Sequence, residues 1–235
     1  HDVGKSPRQA KARTGFVPQE LINHGYFNIH EVMKFHSGYY GLQKNEQRIQ
    51  YLLQRLSLWE HRHKRVKQLS GGMKRRLLIA KSLVHSPRLL LLDEPTAGED
   101  IELRSTLWTF VKELREQGVS ILLTTHYLEE AEQLCDRVAI IHQGELKCVG
   151  PTRQLIDQMT SRRVRFDLRK VPRSVSHPYL VAQNQGQLEF QLPSGIGLGD
   201  LLSELEFDMN EVLDLQIQEG SLEEAFRSVL EEKTH

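Results

Sequence analysis

The chain has 235 residues, 39% of them hydrophobic and 26% charged, which is the ordinary balance of a globular protein. No run approaches the roughly 18 consecutive apolar residues of a membrane span, so work at a membrane would need another protein to cross it. Basic and acidic residues both number 31, which excludes long-range attraction to nucleic acid or to an anionic bilayer. Two cysteines without ligand spacing predict a reducing compartment and no structural metal.

The N-terminal residues predict one short strand. The chain starts at His1 without a targeting segment, and we expect it to begin inside a larger protein. The apolar segment that starts at Gly15 stops at Pro18, which leaves Gln19 in a polar loop. Because strands that run into polar loops commonly present a side chain to a ligand, Gln19 is a candidate binding residue.

Residues 20–68 predict a small helical insert. Asn28 and Glu31 have the spacing of a capping box. Apolar residues then recur at i, i+3, i+4 and i+7, at Ile49, Leu52, Leu53 and Leu56. The basic run 61–67 lacks interleaved aromatic residues, so a solvated face is favoured there over a nucleic-acid or metal site.

Residues 69–149 alternate between helix and strand. The predicted elements are a helix from the Ser-Gly-Gly segment to about 85, a strand at 89–92, a helix over 101–117, a strand at 119–124 and a hairpin of 138–141 with 146–149. Both apolar strands resemble strands buried on both faces of a parallel sheet. Their order with the helices predicts βαβ units and an α/β fold.

The residues after Gly150-Pro151 predict a small mixed α/β appendage. Apolar and polar residues alternate in three segments, which predicts half-buried strands around 164–168, 188–192 and 213–217. A short helix is predicted near 201–205. Ser221 and Glu224 have the spacing that caps a final amphipathic helix.

The strongest chemical signal is Asp93-Glu94, which directly follows four leucines. A buried strand that ends in Asp places a carboxylate at the carboxyl edge of a parallel sheet, where it can hold Mg²⁺. In an extended chain Glu94 would point the other way and could polarise an attacking water. A capped turn explains the same two residues equally well.

Three weaker signals surround it. Ser70-Gly71-Gly72 before a helix leaves backbone N–H groups that suit a phosphate, although the same residues also make a plain N-cap. His126 at the end of the next strand could contact a phosphate or hold Glu94, or be structural. Asp100 alone would be read as a helix cap.

The order of these segments is more specific than any one of them. Gln19, Leu69-Ser70-Gly71-Gly72-Met73, Leu89–Thr96, Ala97–Asp100 and Thr124-Thr125-His126 follow one another along the chain. The set resembles the ATP-binding cassette (ABC) family in its Q-loop, signature, Walker B, D-loop and switch histidine. We call Leu69–Met73 the signature segment. Within the family, the chain is most similar to bacterial exporter ATPases of the drug, antibiotic and polysaccharide branch.

The resemblance implies roles for these residues. In this family ATP lies between two subunits, so the signature segment, with Ser70, Gly71 and Gly72 at its centre, would bind the γ-phosphate held by a second copy. Asp93 would anchor Mg²⁺, with Gln19 at the metal or the water. Glu94 would be the general base, His126 would position the γ-phosphate, and Asp100 would couple the two sites.

The resemblance also implies an architecture and partners. The fold would be a partial P-loop NTPase (RecA-like) core with a helical subdomain and a C-terminal appendage. The expected divisions are 1–20 with the Q-loop, 21–68 helical, 69–155 core and 156–235 accessory. ATP and Mg²⁺ are the implied ligands. The implied partners are a permease in the membrane and a second ATPase subunit, with no nucleic acid, at the cytoplasmic face of the inner membrane.

The chain departs from the family pattern in one respect. No GxxxxGK[ST] loop precedes the Q-loop, and Gly4-Lys5-Ser6 is rejected as its remnant because Pro7 follows and no strand leads into it. Without that loop the phosphates lose their main backbone contacts. We therefore predict that these 235 residues alone neither bind ATP tightly nor hydrolyse it, which titration with a fluorescent ATP analogue would test.

Two other functions stay open at this point. A non-transport ABC ATPase bound to nucleic acid or ribosomes would carry coiled coils, zinc-binding cysteines or a second cassette, and none occurs in this sequence. A binding module that only lends its signature segment to an intact partner would not need both Glu94 and His126. The exporter ATPase is therefore favoured.

Overall fold

A computed structural model describes residues 1–20, 25–97, 101–170, 175–205 and 209–231. The chain divides into two compact units, 1–126 and 127–235. The predicted domain boundaries given above remain predictions. Each unit is described by itself below.

The first unit is built on a parallel sheet. Its elements are, in chain order, α1 (Pro7–Lys11), β1 (Thr14–Val17), α2 (Ile29–Tyr39), α3 (Glu46–Arg55), α4 (Gly71–Leu83), β2 (Leu89–Asp93), α5 (Ile101–Glu116) and β3 (Ser120–Thr124). Strand β2 lies between β1 and β3, and both pairings are parallel. The predicted alternation of helices and parallel strands is confirmed.

The helical insert forms as its sequence pattern predicts. Asn28 accepts a hydrogen bond from the Glu31 amide, and Glu31 accepts one from the Asn28 amide, both at 2.9 Å. The four apolar residues of the periodic pattern are all buried: Ile49, Leu52, Leu53 and Leu56. Helices α2 and α3 both pack against α4. The insert is therefore anchored on the helix that begins at the signature segment.

Helix α4 lies unusually close to β1. A Cβ atom at Gly15 would lie 2.4 Å from the Ser82 carbonyl oxygen, so only glycine permits this approach. Five residues of α4 and the residue that directly follows it are fully or nearly fully buried: Leu77, Leu78, Ile79, Ala80, Leu83 and Val84. This packing fixes α4, and with it the signature segment, against the strand that leads to Gln19.

Strand β3 is less buried than its apolar sequence predicts. Leu122 is 63% exposed, and its neighbours Ile121 and Leu123 are half-buried. The physical reason is that β3 pairs only with β2 within the described residues, so one edge and part of one face stay open. Phe16 on β1 is exposed as well. The expectation of a strand buried on both faces is wrong for β3.

The second unit contains a hairpin and an antiparallel sheet. Its elements are, in chain order, α6 (Leu128–Leu134), β4 (Arg137–His142), β5 (Glu145–Pro151), α7 (Thr152–Met159), β6 (Arg162–Leu168), β7 (Leu180–Asn184), β8 (Gln187–Leu192), α8 (Leu198–Glu204), β9 (Val212–Gln218) and α9 (Leu222–Glu231). Strands β4 and β5 pair across Gln143 and Gly144, whose φ angles of 51° and 77° suit a tight hairpin turn.

The four-stranded sheet has the order β7-β8-β6-β9 and an apolar core on one face. Seven buried residues form that core: Val164, Phe166, Leu168, Leu188, Phe190, Leu192 and Leu201. The alternation predicted for β6 and β8 is confirmed. On the edge strand β9 the predicted half-buried pattern is wrong, because the three apolar residues expected to be buried, Leu213, Leu215 and Ile217, are 36–59% exposed. Ser221 caps α9 by accepting from the Glu224 amide at 3.2 Å, as predicted.

Candidate functional site

Three polar side chains follow the ends of the three parallel strands. The last β1–β2 pair is Val17 with Leu92, and the last β2–β3 pair is Asp93 with Thr124. All three strands therefore end at the same edge of the sheet. Gln19, Glu94 and His126, which are far apart in sequence, come together there.

Glu94 has a backbone conformation that residues other than glycine seldom adopt. Strand β2 ends at Asp93, and Glu94 has φ +46°, in the left-handed region. Its amide donates to the Thr124 carbonyl at 3.0 Å, which holds the turn in place. The expectation that the chain is still extended at Glu94 is therefore wrong. A non-glycine residue in this region costs on the order of 1–2 kcal/mol, and such strain collects at functional sites.

The Glu94 carboxylate is contacted on both oxygens. The Gln19 side-chain amide donates from Nε2 to Oε2 at 3.4 Å, and His126 Nδ1 lies 3.1 Å from Oε1. The Glu94 side chain is 25% exposed and that of His126 is 57% exposed. A ring that donates from Nδ1 to a carboxylate can also donate from Nε2 when it is protonated. The group therefore combines a held carboxylate with an imidazole at an accessible edge.

Asp93 is held by a residue to which the sequence pattern assigned no role. The Thr124 hydroxyl donates to Asp93 Oδ1, and the two residues are register partners on β2 and β3. Aligning the two strand ends in parallel register would have found this pair. Asp93 is half-buried, so its carboxylate keeps access to solvent.

The oxygen donors at this edge fit Mg²⁺. The Asp93 carboxylate and the Gln19 amide oxygen are hard ligands, and Mg²⁺ usually binds through one or two protein carboxylates with waters and phosphates. Within the described ranges, no group of three or more His, Cys, Asp and Glu side chains could hold a metal ion by itself.

The signature segment forms the start of α4. Ser70 caps the helix by accepting from the Met73 amide at 3.2 Å, while Leu69 is buried and anchors the segment. Ser70 and Gly71 are exposed, and a Cβ at Gly71 would meet nothing within 4 Å. The hydroxyl that accepts the cap bond can still donate its own proton. The turn is thus open to an anion, as helix N-termini permit.

Arg75 joins α4 to the loop after β1, a contact that the sequence pattern did not predict. Its guanidinium donates to the carbonyl oxygens of Pro18 at 3.0 Å and Gln19 at 2.8 Å. The residue is only 5% exposed. Asp100, the predicted D-loop residue, lies outside the described residues.

Gly4-Lys5-Ser6 has no phosphate-binding geometry. The amides of Gly4 and Lys5 both donate to the Asp2 carboxylate at 2.8 Å. These N–H groups are therefore engaged within the N-terminal turn, in agreement with the rejection of this segment as a phosphate loop.

The shifted pKa values in the first unit belong to the helical insert and to the C-terminal end of α4 and the residues just after it. Burial, together with the positive charges of Lys81 and His85, lowers the pKa of His36 to about 4. Burial also lowers the pKa of His85, although its hydrogen bond to the Thr14 carbonyl opposes this. The Tyr40 ring stacks on His85 with centroids 3.8 Å apart. These rings join α2 of the insert to His85, just after α4, and take no part in the group around Glu94.

Comparison with protein families places the chain among known proteins. A family model described as "ABC transporter" matches residues 1–97. The linearmycin resistance ATP-binding protein LnrL of Bacillus subtilis is 34% identical over 237 residues, which span 95% of this chain and 76% of that protein.

Other relatives match over a shorter range. The Nod factor export ATP-binding protein I of Burkholderia thailandensis is 41% identical over 157 residues, 66% of this chain and 52% of that protein. Its counterpart in Rhizobium etli is 39% identical over 159 residues. The chain thus spans about half the length of the Nod factor export proteins.

A solved structure titled "Structure of ATP binding subunit of ABC transporter" has the same fold. It superimposes with a TM-score of 0.62 at 26% identity and covers 67% of each chain. No helix in the described part of the present chain has both the length and the apolar character to span a bilayer.

Proposed function

Because the chain belongs to the ABC transporter family of ATP-binding proteins, we propose that its first unit supplies catalytic residues with which a complete, paired ATP-binding subunit hydrolyses magnesium–ATP to drive export through a separate membrane subunit. These 235 residues alone, which carry no GxxxxGK[ST] loop, are expected to be inactive. The single observation that carries the proposal is the Glu94 carboxylate held between Gln19 and His126, next to Asp93. The family, the α/β fold and the nucleotide-binding ATPase class predicted from sequence are confirmed.

The residues at the sheet edge would act as follows. Glu94 accepts a proton from the water that attacks the γ-phosphate, and His126 and Gln19 hold its two oxygens in place. Asp93, fixed by Thr124, would hold Mg²⁺ together with the Gln19 amide oxygen. When bound, the metal supplies positive charge that neutralises the phosphates. His126 donates to a γ-phosphate oxygen from its second ring nitrogen.

A second copy of the chain would complete the site. The exposed Ser70 and Gly71 at the start of α4 support this, because the turn is accessible to a phosphate held by another subunit. In a two-fold dimer the contact would occur twice, which gives two equivalent ATP sites. Asp100 would couple them.

The partner in the membrane is proposed from the class of the relatives. LnrL is named as a resistance ATP-binding protein and the Nod factor proteins as export ATP-binding proteins. ATP-binding subunits of exporters generally pair with permeases. The present chain would then lie at the cytoplasmic face of the inner membrane, attached through its permease, with the helical insert in contact with it. Nucleic acid is not among the expected partners.

The test is the variant Glu94→Gln in the complete gene product that contains these residues, purified with its permease. Loss of the base should lower kcat for ATP hydrolysis by at least about 10²-fold with little change in KM. Glu129→Gln, which neutralises an exposed glutamate three residues after His126, is the matched control and should be fully active. Normal turnover by Glu94→Gln would refute the assignment of the base.

A further inference from the structure

Arg75 is a buried arginine that donates hydrogen bonds to backbone carbonyl oxygens. It lies in the second turn of α4, five residues after Ser70, and is 5% exposed. Its two terminal nitrogens donate to two successive carbonyl oxygens, Pro18 at 3.0 Å and Gln19 at 2.8 Å. A buried cation with this geometry needs such acceptors, because an unpaired one would be expensive to bury.

The two carbonyls are the first ones beyond the sheet. The β1–β2 ladder ends at the pair Val17 and Leu92, so the chain leaves the sheet at Pro18. Arg75 supplies two donors from one rigid planar group at the point where the ladder stops. A lysine has a single point charge on a flexible stem and cannot reproduce this fork.

Gln19 is therefore held at both ends. Its carbonyl is fixed by Arg75, and its side-chain amide reaches Glu94 at 3.4 Å. The helix that carries Arg75 is the one capped by Ser70, and Gly15 lets this helix lie directly against β1. A displacement of the signature segment would thus reach Gln19 through Arg75 as well as through the packing of α4 on β1.

We propose that Arg75 is a positioning residue that links the signature segment to Gln19 and so sets the placement of Gln19 against Glu94. The inference rests on the proposed function for its catalytic meaning, since Gln19 and Glu94 are assigned there. The contact itself, from α4 to the carbonyls of Pro18 and Gln19, does not depend on that assignment.

The neighbouring Arg76 provides a matched control. It lies on the same turn of α4 and donates from Nη1 to the Leu56 carbonyl at 3.1 Å, in the helical insert. Arg75→Met and Arg76→Met each remove one guanidinium from the same helix turn while keeping a long apolar side chain. Only the first removes donors from the Gln19 loop.

The first experiment measures amide hydrogen exchange by mass spectrometry in the 235-residue chain. In Arg75→Met, exchange in the peptide covering residues 12–20 should accelerate about tenfold or more, because release of the Pro18 and Gln19 carbonyls loosens the end of β1, which pairs with β2. Arg75→Lys should fall between this variant and the parent. Arg76→Met should leave this peptide unchanged. Equal acceleration in Arg75→Met and Arg76→Met, or none in Arg75→Met, would overturn the proposal.

The second experiment measures ATP hydrolysis by the complete gene product with its permease. Arg75→Met should lower kcat roughly 10- to 100-fold through misplacement of Gln19, with KM for ATP within about twofold of the parent value. Arg75→Lys should restore part of kcat. If Glu94→Gln abolishes hydrolysis while Arg75→Met hydrolyses ATP normally, this inference fails and the proposed function stands. If Glu94→Gln is itself active, the proposed function fails.

Discussion

In the first unit three parallel strands end at one edge and carry polar side chains there, whereas in the second unit four antiparallel strands cover an apolar core. Parallel strands all run the same way, so residues as distant as Gln19, Glu94 and His126 meet at a single edge. Antiparallel strands alternate in direction, so their ends are divided between two edges. The first arrangement can assemble a site from distant segments, and the second mainly serves to bury side chains.

The contrast extends to the backbone. In the first unit Glu94, the residue at the centre of the polar group, has φ +46°. In the second unit the positive φ angles of Gln143 and Gly144 belong to a hairpin turn, where this conformation is required by the connection. At Glu94 the same conformation belongs to the turn that follows β2, and this turn carries a side chain of the polar group instead of only joining two strands.

The largest effect is expected when an aromatic ring is removed from the core of the second unit. Phe190 is fully buried and meets Phe166 edge to face at 5.7 Å. Phe190→Ala should lower the free energy of unfolding by about 3–5 kcal/mol, measured by urea denaturation. Leu213→Ala, on the same sheet but 59% exposed, should change it by less than about 0.5 kcal/mol. Similar losses in the two variants would show that the sheet does not serve chiefly for burial.

A smaller effect is expected from pH on the first unit. The pKa of His36 is about 4 in the folded chain, against 6.5 ordinarily. Between these values the unfolded chain binds a proton that the folded chain does not, so stability is complete above about pH 6.5 and falls as pH decreases.

Lowering the pH from 7 to 5 should therefore lower the free energy of unfolding of the parent more than that of the variant His36→Gln. The expected difference is about 1–2 kcal/mol, and it is no larger because the ring is only partly buried. Denaturant titrations at the two pH values measure the difference. Lys81 and His85 are the titratable groups whose charges oppose protonation of His36, so both proteins must be compared in the same buffer and salt. Parallel losses in the two proteins would contradict the expectation.

The smallest effect concerns the backbone at Glu94. Glu94→Gly and Glu94→Ala both remove the contacts to Gln19 and His126, and they differ in how readily φ +46° is adopted. The glycine variant should be more stable than the alanine variant by about 1 kcal/mol, because glycine adopts this φ angle at little cost. Thermal unfolding of the two chains gives the comparison. An alanine variant as stable as the glycine variant would mean that the turn relaxes when the side chain is lost.

Much of the fold could be predicted from sequence because its determinants are local. The capping box at Asn28 and Glu31, the cap at Ser221 and the hairpin at Gln143 and Gly144 depend on residues within a few positions of one another. The parallel strands were predicted from continuous apolar runs. The exposure of β3 could not be predicted in this way, because the exposure of a strand depends on how many strands lie beside that strand.

The site was predicted in its residue types and only partly in its geometry. Gln19, Asp93, Glu94 and His126 were identified because each lies at or just after the end of a predicted strand. The turn at Glu94 depends on a hydrogen bond to Thr124, the partner of Asp93 depends on strand register, and Arg75 reaches across 56 positions to Gln19. Contacts of that range are set by packing, which sequence spacing does not encode.

The open edge of β3 has a practical consequence. Its outer backbone groups have no strand partner in the described part of the chain, and Leu122 beside them is 63% exposed. Apolar edges of this kind pair with the edges of other molecules, which leads to precipitation as concentration rises. Purification of the isolated chain therefore calls for dilute solutions. Leu122→Lys is the simplest substitution to keep the chain from aggregating.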